Sequence, residues 1–224
     1  MAFQVGGAGV NPGVWVNKIG KRFAAESVAE NIGDIGSYYG KQPGGIVWSI
    51  LSQADIDRLV SEGSEIAIGE FVVYHKPMDR LPIELDAHLE SGLVKKADTL
   101  EELADMMDVP QDVFVETMRS YNEACEKGYD DAFMKKPQYL RAVDKAPFYA
   151  IPLATGTMGS AGGIKINGNM QVVDVDGNAI EGLYAVGNCS SGVSGGMYMH
   201  GGMTVGSGAV MSWVAVRHLL GVSE

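Results

Sequence analysis

The chain has 224 residues, 46% hydrophobic and 20% charged, enough apolar material for one large domain or two small ones around a real core. A net charge of −11 argues against a surface built for nucleic acid or an anionic membrane, and no apolar run reaches the ~20 residues of a spanning helix. The start, MAFQVGGAGVNPG, has no basic segment leading into an apolar one, so it does not read as a signal peptide. Cys125 and Cys189 are the only cysteines. They make neither a disulfide framework nor a zinc pattern, which points to a reducing, cytoplasmic setting and no bound metal.

In chain order, VWVNKIGKRF (14–23) reads as a strand, a turn on NKIG and a second short strand. IGDIGSYYGKQPGG then reads as a glycine-rich loop, followed by IVWSIL, a strand of β-branched and aromatic residues. SQADIDRLVSEG reads as a short helix with Ser52 or Asp55 near its start and Gly63 closing it. Thr99 with Glu102 three residues on makes a capping box for TLEELADMM. Pro110 and Gln111 open a longer helix that stops at Gly128. Val113, Phe114, Thr117, Met118, Tyr121, Ala124 and Cys125 form one apolar stripe along it, with Cys125 a structural thiol. From 148 onward the text is β-rich, with DGNA as a hairpin-type turn. The last element, about 205–220, is apolar on nearly every face and reads as a buried helix.

Between the last strand and that helix, residues 182–208 place nine glycines in 27 positions. Glycine that dense costs backbone entropy and is kept where bare main chain must approach something. A strand, a glycine loop and a helix start together form an arrangement that brings backbone N–H groups against a cofactor. The alternative is a flexible surface loop, against which stand the apolar Val193, Met197, Tyr198, Met199, Met203 and Val205.

The residues AGGIKIN, VDVDGNAIEGLYAVGNCSSGVSGG and GGMTVGSGAVMSWVAVRHL resemble the C-terminal end of flavoproteins of the fumarate reductase and 3-ketosteroid dehydrogenase superfamily. VWVNKIGKRFAAES is similar to that family's NKxGKRFxxE segment, and TLEELADMMDVPQDVFVETMRSYNEAC to its cap-domain helices. The resemblance implies an α+β fold: residues 1–27 from the FAD-binding domain, 28–147 a cap, and 148–224 the C-terminal FAD-binding segment. It implies FAD contacts at Gly162, Gly163, Gly187 and Asn188, with Thr204 and Val205 presenting N–H groups to the flavin pyrimidine edge. The family's dinucleotide-binding half is not seen here; GGAGVNPG at 6–13 has Pro12 where a third small residue belongs. A partner half, weak FAD binding by this chain alone, and self-association through surface that half would cover are therefore expected.

Within the superfamily, the fumarate branch carries H-T-x-G-G where this chain reads GSAGG (159–163), and an arginine where it reads MYMHGG. No arginine occurs between Arg141 and Arg217, which leaves His200 as the donor for a dianion. The steroid branch is closer. Tyr198 and Gly202 keep the four-residue spacing by which that branch holds a substrate carbonyl and stabilises its enolate. Tyr198 could instead simply pack on the flavin. Glu30 stands near that branch's proton-abstracting residue, either as a base with a raised pKa or as an ordinary surface glutamate. Met158, Met197, Met199 and Met203 suggest an adaptable pocket for a bulky neutral substrate. The implied activity is hydride transfer between FAD and a carbon beside a carbonyl. Reduction of a small unsaturated acid, or a non-catalytic binding fragment, are the alternatives.

Overall fold

The computed structural model describes residues 3–67, 72–156, 159–160, 162–191 and 202–222. Two compact units divide the chain, Met1–Thr155 and Gly156–Glu224.

The first unit is built on a four-stranded antiparallel sheet. β1 (Val14–Asn17) pairs with β2 (Ile46–Ser52), β2 with β4 (Phe148–Ala154), and β4 with the edge strand β3 (Lys95–Ala97). The register sets Val14 opposite Ile50, and Ile50 opposite Ala150. Strand alternation then sorts the side chains. Val14, Val16, Ile50, Phe148 and Ala150 face one way, into a core completed by α5 (Leu100–Met107) and α6 (Gln111–Lys127). Trp15, Val47, Leu51, Tyr149, Ile151 and Leu153 face the other way. That face is covered by α1 (Phe3–Val10), α2 (Ile32–Gly40), α3 (Gln53–Glu62) and α4 (Leu81–Glu90). A sheet with helices on both faces is an α+β sandwich. Its strands come from all three stretches into which the sequence was divided.

The capped helices fall where their signals put them. Ser52 caps α3 in a reciprocal box with Asp55, and Gly63 ends it. Thr99 accepts from the Glu102 N–H at 3.1 Å, and Gly128 closes α6 in the left-handed region. The expected stripe on α6 buries Phe114, Met118, Tyr121 and Ala124, with Cys125 half-buried against the same core and its thiol pKa raised by burial.

Three helices were not expected. In the stretch read as a loop, α2 forms because Ile35 and Tyr39, four apart, bury together against Trp15 and Val47. Residues 3–10 are helical despite three glycines, which let α1 lie close on β4. A methyl group at Gly9 would come within 2.8 Å of Leu153 Cδ2, and the Gly9 carbonyl accepts from Trp15 Nε1 at 3.1 Å. The third, α4, has Pro82 in its first turn and only Leu81 and Leu85 fully buried.

In the second unit, β5 (Ile164–Lys165) runs parallel to β8 (Ser190–Ser191), and β6 (Gln171–Val173) pairs antiparallel with β7 (Ala179–Tyr184). The β6–β7 turn closes on Asp174, which accepts from the Asp176 and Asn178 N–H groups. α7 (Met203–Leu219) follows. The expectation that this helix is buried is corrected: only Met211 and Ala215 are. Val205, Val210, Trp213, Val216 and Leu219 are more than half exposed.

Candidate functional site

The glycine-rich segment is organised by close backbone packing. β7 runs into a 3-10 turn at Gly187–Cys189 and then β8. β5 pairs so tightly with β8 that a methyl group at Gly163 would lie 2.3 Å from the Cys189 carbonyl oxygen. Only glycine fits there. Ser190 is buried; its hydroxyl donates to the Gly187 carbonyl at 2.8 Å and rests 3.9 Å from the Met211 sulfur, which ties the turn to α7. The Cα of Gly208 sits 3.8 Å from where a Gly187 side chain would start. At the other end of α7, the Tyr184 hydroxyl and His218 Nδ1 are hydrogen-bonded at 2.8 Å.

The six expected cofactor residues lie along one run of elements. Gly162 and Gly163 lead β5, Gly187 and Asn188 form the 3-10 turn, and the turn packs on α7. Thr204 and Val205 occupy the first turn of that helix. Gly202, its N-cap, is in the left-handed region at φ 80° and provides no side-chain cap. The Gly206 N–H reaches back to the Gly202 carbonyl at 2.9 Å, whereas those of Thr204 and Val205 precede the first intrahelical acceptor. Neither donates to an acceptor among the described residues, and two such donors at the positive end of a helix dipole suit an electron-rich heterocycle edge. These features fit a flavin. Tyr198, His200, Met158, Met197 and Met199 lie outside the described residues; Met203 begins α7 and is half-buried.

Glu30 belongs to the first unit. Its carboxylate accepts from the Tyr139 hydroxyl at 2.8 Å and from Lys136 Nζ, with which it also forms an ion pair. The Lys136 and Tyr139 hydrogen bonds hold its pKa below the usual carboxylate value. The raised pKa considered from the sequence is thereby corrected: Glu30 lies near solvent with two donors, and the ionised form is favoured.

The sequence also concealed a buried charge network. Arg22 donates from Nη2 to Glu26 at 2.8 Å and to Asp130 at 2.9 Å, and from Nε to Glu26 at 2.9 Å. Lys135 Nζ stands 3.4 Å from Glu26, and donates to the Tyr121 hydroxyl at 2.9 Å and to the Gly13 carbonyl. Glu26, Asp130 and Lys135 are each at most 1% exposed. Burial alone would raise the Glu26 pKa, but Lys135 and Arg22 bring it below its ordinary value. Burial lowers the Lys135 pKa, and Glu26 offsets this only in part. The resemblance marked Arg22 and Glu26 within a motif; nothing in the text pointed to Asp130 and Lys135, more than 100 positions away.

An antiparallel sheet sandwiched between helices and, in the second unit, a helix start built among glycines with its first N–H groups open suit an FAD-binding flavoprotein. The family described as FAD binding domain matches residues 3–205, and the chain belongs to it. It is 36% identical over 193 residues to a vinyl phenol reductase of Lactiplantibacillus plantarum, covering 85% of this chain and 39% of that protein. It is 33% identical to a 3-oxosteroid 1-dehydrogenase of Mycolicibacterium smegmatis, covering 92% and 38%. Its fold is similar to that of a 3-ketosteroid delta1-dehydrogenase from Sterolibacterium denitrificans, at a TM-score of 0.73, 24% identity, and 96% and 40% coverage. The chain thus spans about two-fifths of the length of these relatives. The cofactor of this family is FAD.

Proposed function

We propose that this chain supplies the cap (28–147) and two flavin-facing segments (1–27 and 148–224) of an FAD-dependent oxidoreductase that makes or reduces a C=C bond beside a carbonyl. The observation that carries the reading is the first turn of α7, packed on the Gly187–Cys189 turn, whose Thr204 and Val205 N–H groups have no acceptor among the described residues. FAD, when bound, supplies the hydride acceptor or donor. Thr204 and Val205 donate to the pyrimidine edge, where negative charge builds on reduction; Gly162, Gly163, Gly187 and Asn188 let the backbone come close. Tyr198 donates from its phenol, and Gly202 from its N–H, to the substrate carbonyl oxygen, which stabilises enolate charge. His200 borders the same stretch and matters more for an anionic substrate.

Two relatives are named for a vinyl phenol and a 3-oxosteroid, both neutral, ring-bearing molecules. The substrate proposed here has that character: bulky, neutral and conjugated. The test uses the FAD-loaded enzyme containing this chain, reduced without air. Reoxidation by a steroid dienone or a vinyl phenol at least tenfold faster than by fumarate is expected. Preferential reoxidation by fumarate or acrylate would replace this reading with that of an unsaturated-acid reductase, and none with any acceptor would favour a binding role.

A further inference from the structure

Helix α7 has two apolar faces, and only one is packed within the chain. Met211 and Ala215 turn inward, with the Met211 sulfur resting on the Ser190 hydroxyl. On the opposite side Gly206, Ala209, Trp213, Val216 and the C-cap Leu220 are all exposed. They follow one another at intervals of three, four, three and four residues. That alternation is the spacing of a coiled-coil seam, in which each side chain inserts between residues of a facing helix. Val205, Val210 and Leu219 flank the seam, each more than half exposed. Along α7 the sequence has no Asp, Glu or Lys, and its one Arg, Arg217, lies over the Trp213 ring at 4.6 Å. The seam is also graded in size. Its N-terminal end holds Gly206 and Ala209, with open space where a Gly206 side chain would begin; its C-terminal end holds Trp213, Val216 and Leu220.

We propose that this seam pairs, antiparallel and about a two-fold axis, with the same seam of a second copy of the chain. This gives a surface and an orientation to the self-association expected from the sequence. Antiparallel order sets Ala209 opposite Trp213 and Gly206 opposite Val216, so each small position receives a large one. Leu220 then extends past the facing Gly206 toward the start of the other helix. Parallel order instead stacks the small end on itself and leaves a gap there. Antiparallel order also holds the two Arg217 side chains about 18 Å apart along the helices, beyond the range of strong repulsion in salt. The seam and its flanks offer on the order of 700 Å² per copy, ~1,400 Å² for the pair, within the range of stable interfaces. The net charge of −11 opposes association in general, but no acidic residue lies on this helix.

Sedimentation equilibrium of the purified chain tests the pairing, and a dimer with a micromolar dissociation constant is expected. Trp213→Glu should shift it to monomer with unchanged circular dichroism, because that side chain is exposed within the chain. Ala209→Leu, which sets large against large, should weaken association at least tenfold. Orientation is read by oxidative cross-linking of Gly206→Cys and Val216→Cys chains, each also carrying Cys189→Ser, with the linked peptides identified by mass. The two chains mixed should give a disulfide between positions 206 and 216, and either chain alone should give none at its new cysteine. A chain that stays monomeric into the high micromolar range overturns the proposal and leaves the seam to a different partner. A dimer that Trp213→Glu leaves intact, or a 206–206 or 216–216 disulfide, overturns it as well.

Discussion

The two units spend their apolar residues in opposite ways. Residues 1–155 bury theirs on both faces of one sheet and bury charge as well, in the Arg22–Glu26–Asp130–Lys135 network. Among the described residues of the second unit, α7 leaves Val205, Val210, Trp213, Val216 and Leu219 in view and fully buries only Met211 and Ala215. The first unit encloses three hydrophobic cores of its own. The second holds its backbone in place through glycine contacts and a few anchors, and its remaining surface is suited to a ligand or a partner. The buried charge lies in the first unit, and the ligand role proposed here lies in the second.

The largest separation between the units should come from Glu26→Gln. It leaves Arg22 and Lys135 buried with too little negative charge, a loss of about 3–5 kcal/mol, or roughly 10 °C in melting temperature. A drop below about 1 kcal/mol by denaturant titration would mean the network contributes little to the first unit. In the second unit, Tyr198→Phe in the FAD-loaded enzyme should lower turnover by ~10²–10³ at near-normal flavin content and melting temperature. Stopped-flow flavin reduction and absorbance check both. If Tyr198→Phe is nearly silent while His200→Ala abolishes binding, the neutral-carbonyl reading is wrong.

Acid should act through the first unit. Burial raises the carboxyl pKa values of Glu26 and Asp130, but Lys135 and Arg22 at Glu26, and Arg22 at Asp130, bring both below their ordinary values. The unfolded chain then takes up protons first. The contribution is complete above the ordinary carboxylate range and is lost as pH falls through the depressed folded values. Circular dichroism from pH 7 to pH 2 should show that loss, with a shallower slope in Glu26→Gln. A smaller change is expected from Thr99→Ala, about 1 kcal/mol for one lost cap. Smallest of all in stability is Trp213→Ser with Val216→Ser, within about 0.5 kcal/mol because both side chains are already exposed. That double variant should nevertheless reduce self-association in light scattering; unchanged association would place the contact elsewhere.

Much of this was legible in the sequence where the signal is local. Ser52, Asp55 and Gly63 bound α3, and Thr99, Pro110 and Gly128 bound α5 and α6, because caps and stops act within a few residues. Helices α1 and α2 were hidden because their glycines oppose helix formation locally, and the contacts that compensate come from β4 and Trp15. The position of α7 was legible but its exposure was not, since periodicity cannot say what covers an apolar helix. In the candidate site, the glycine whose backbone approach excludes a side chain is Gly163, against Cys189 and outside the dense run, while Gly187 and Gly208 meet only at ordinary contact distance. The union of Arg22 with Asp130, 108 positions apart, depends on tertiary folding and left no local trace.

The central claim is that the Gly187–Cys189 turn and the first turn of α7 face the flavin. Amide spectra of the isotopically labelled chain, titrated with FAD into the millimolar range, test it directly even if binding by this chain alone is weak. The account predicts the largest shifts at Gly187, Asn188, Thr204 and Val205, with the amides of the first unit's sheet unmoved. Saturating shifts confined to residues 1–155, with those four amides unchanged, would contradict it.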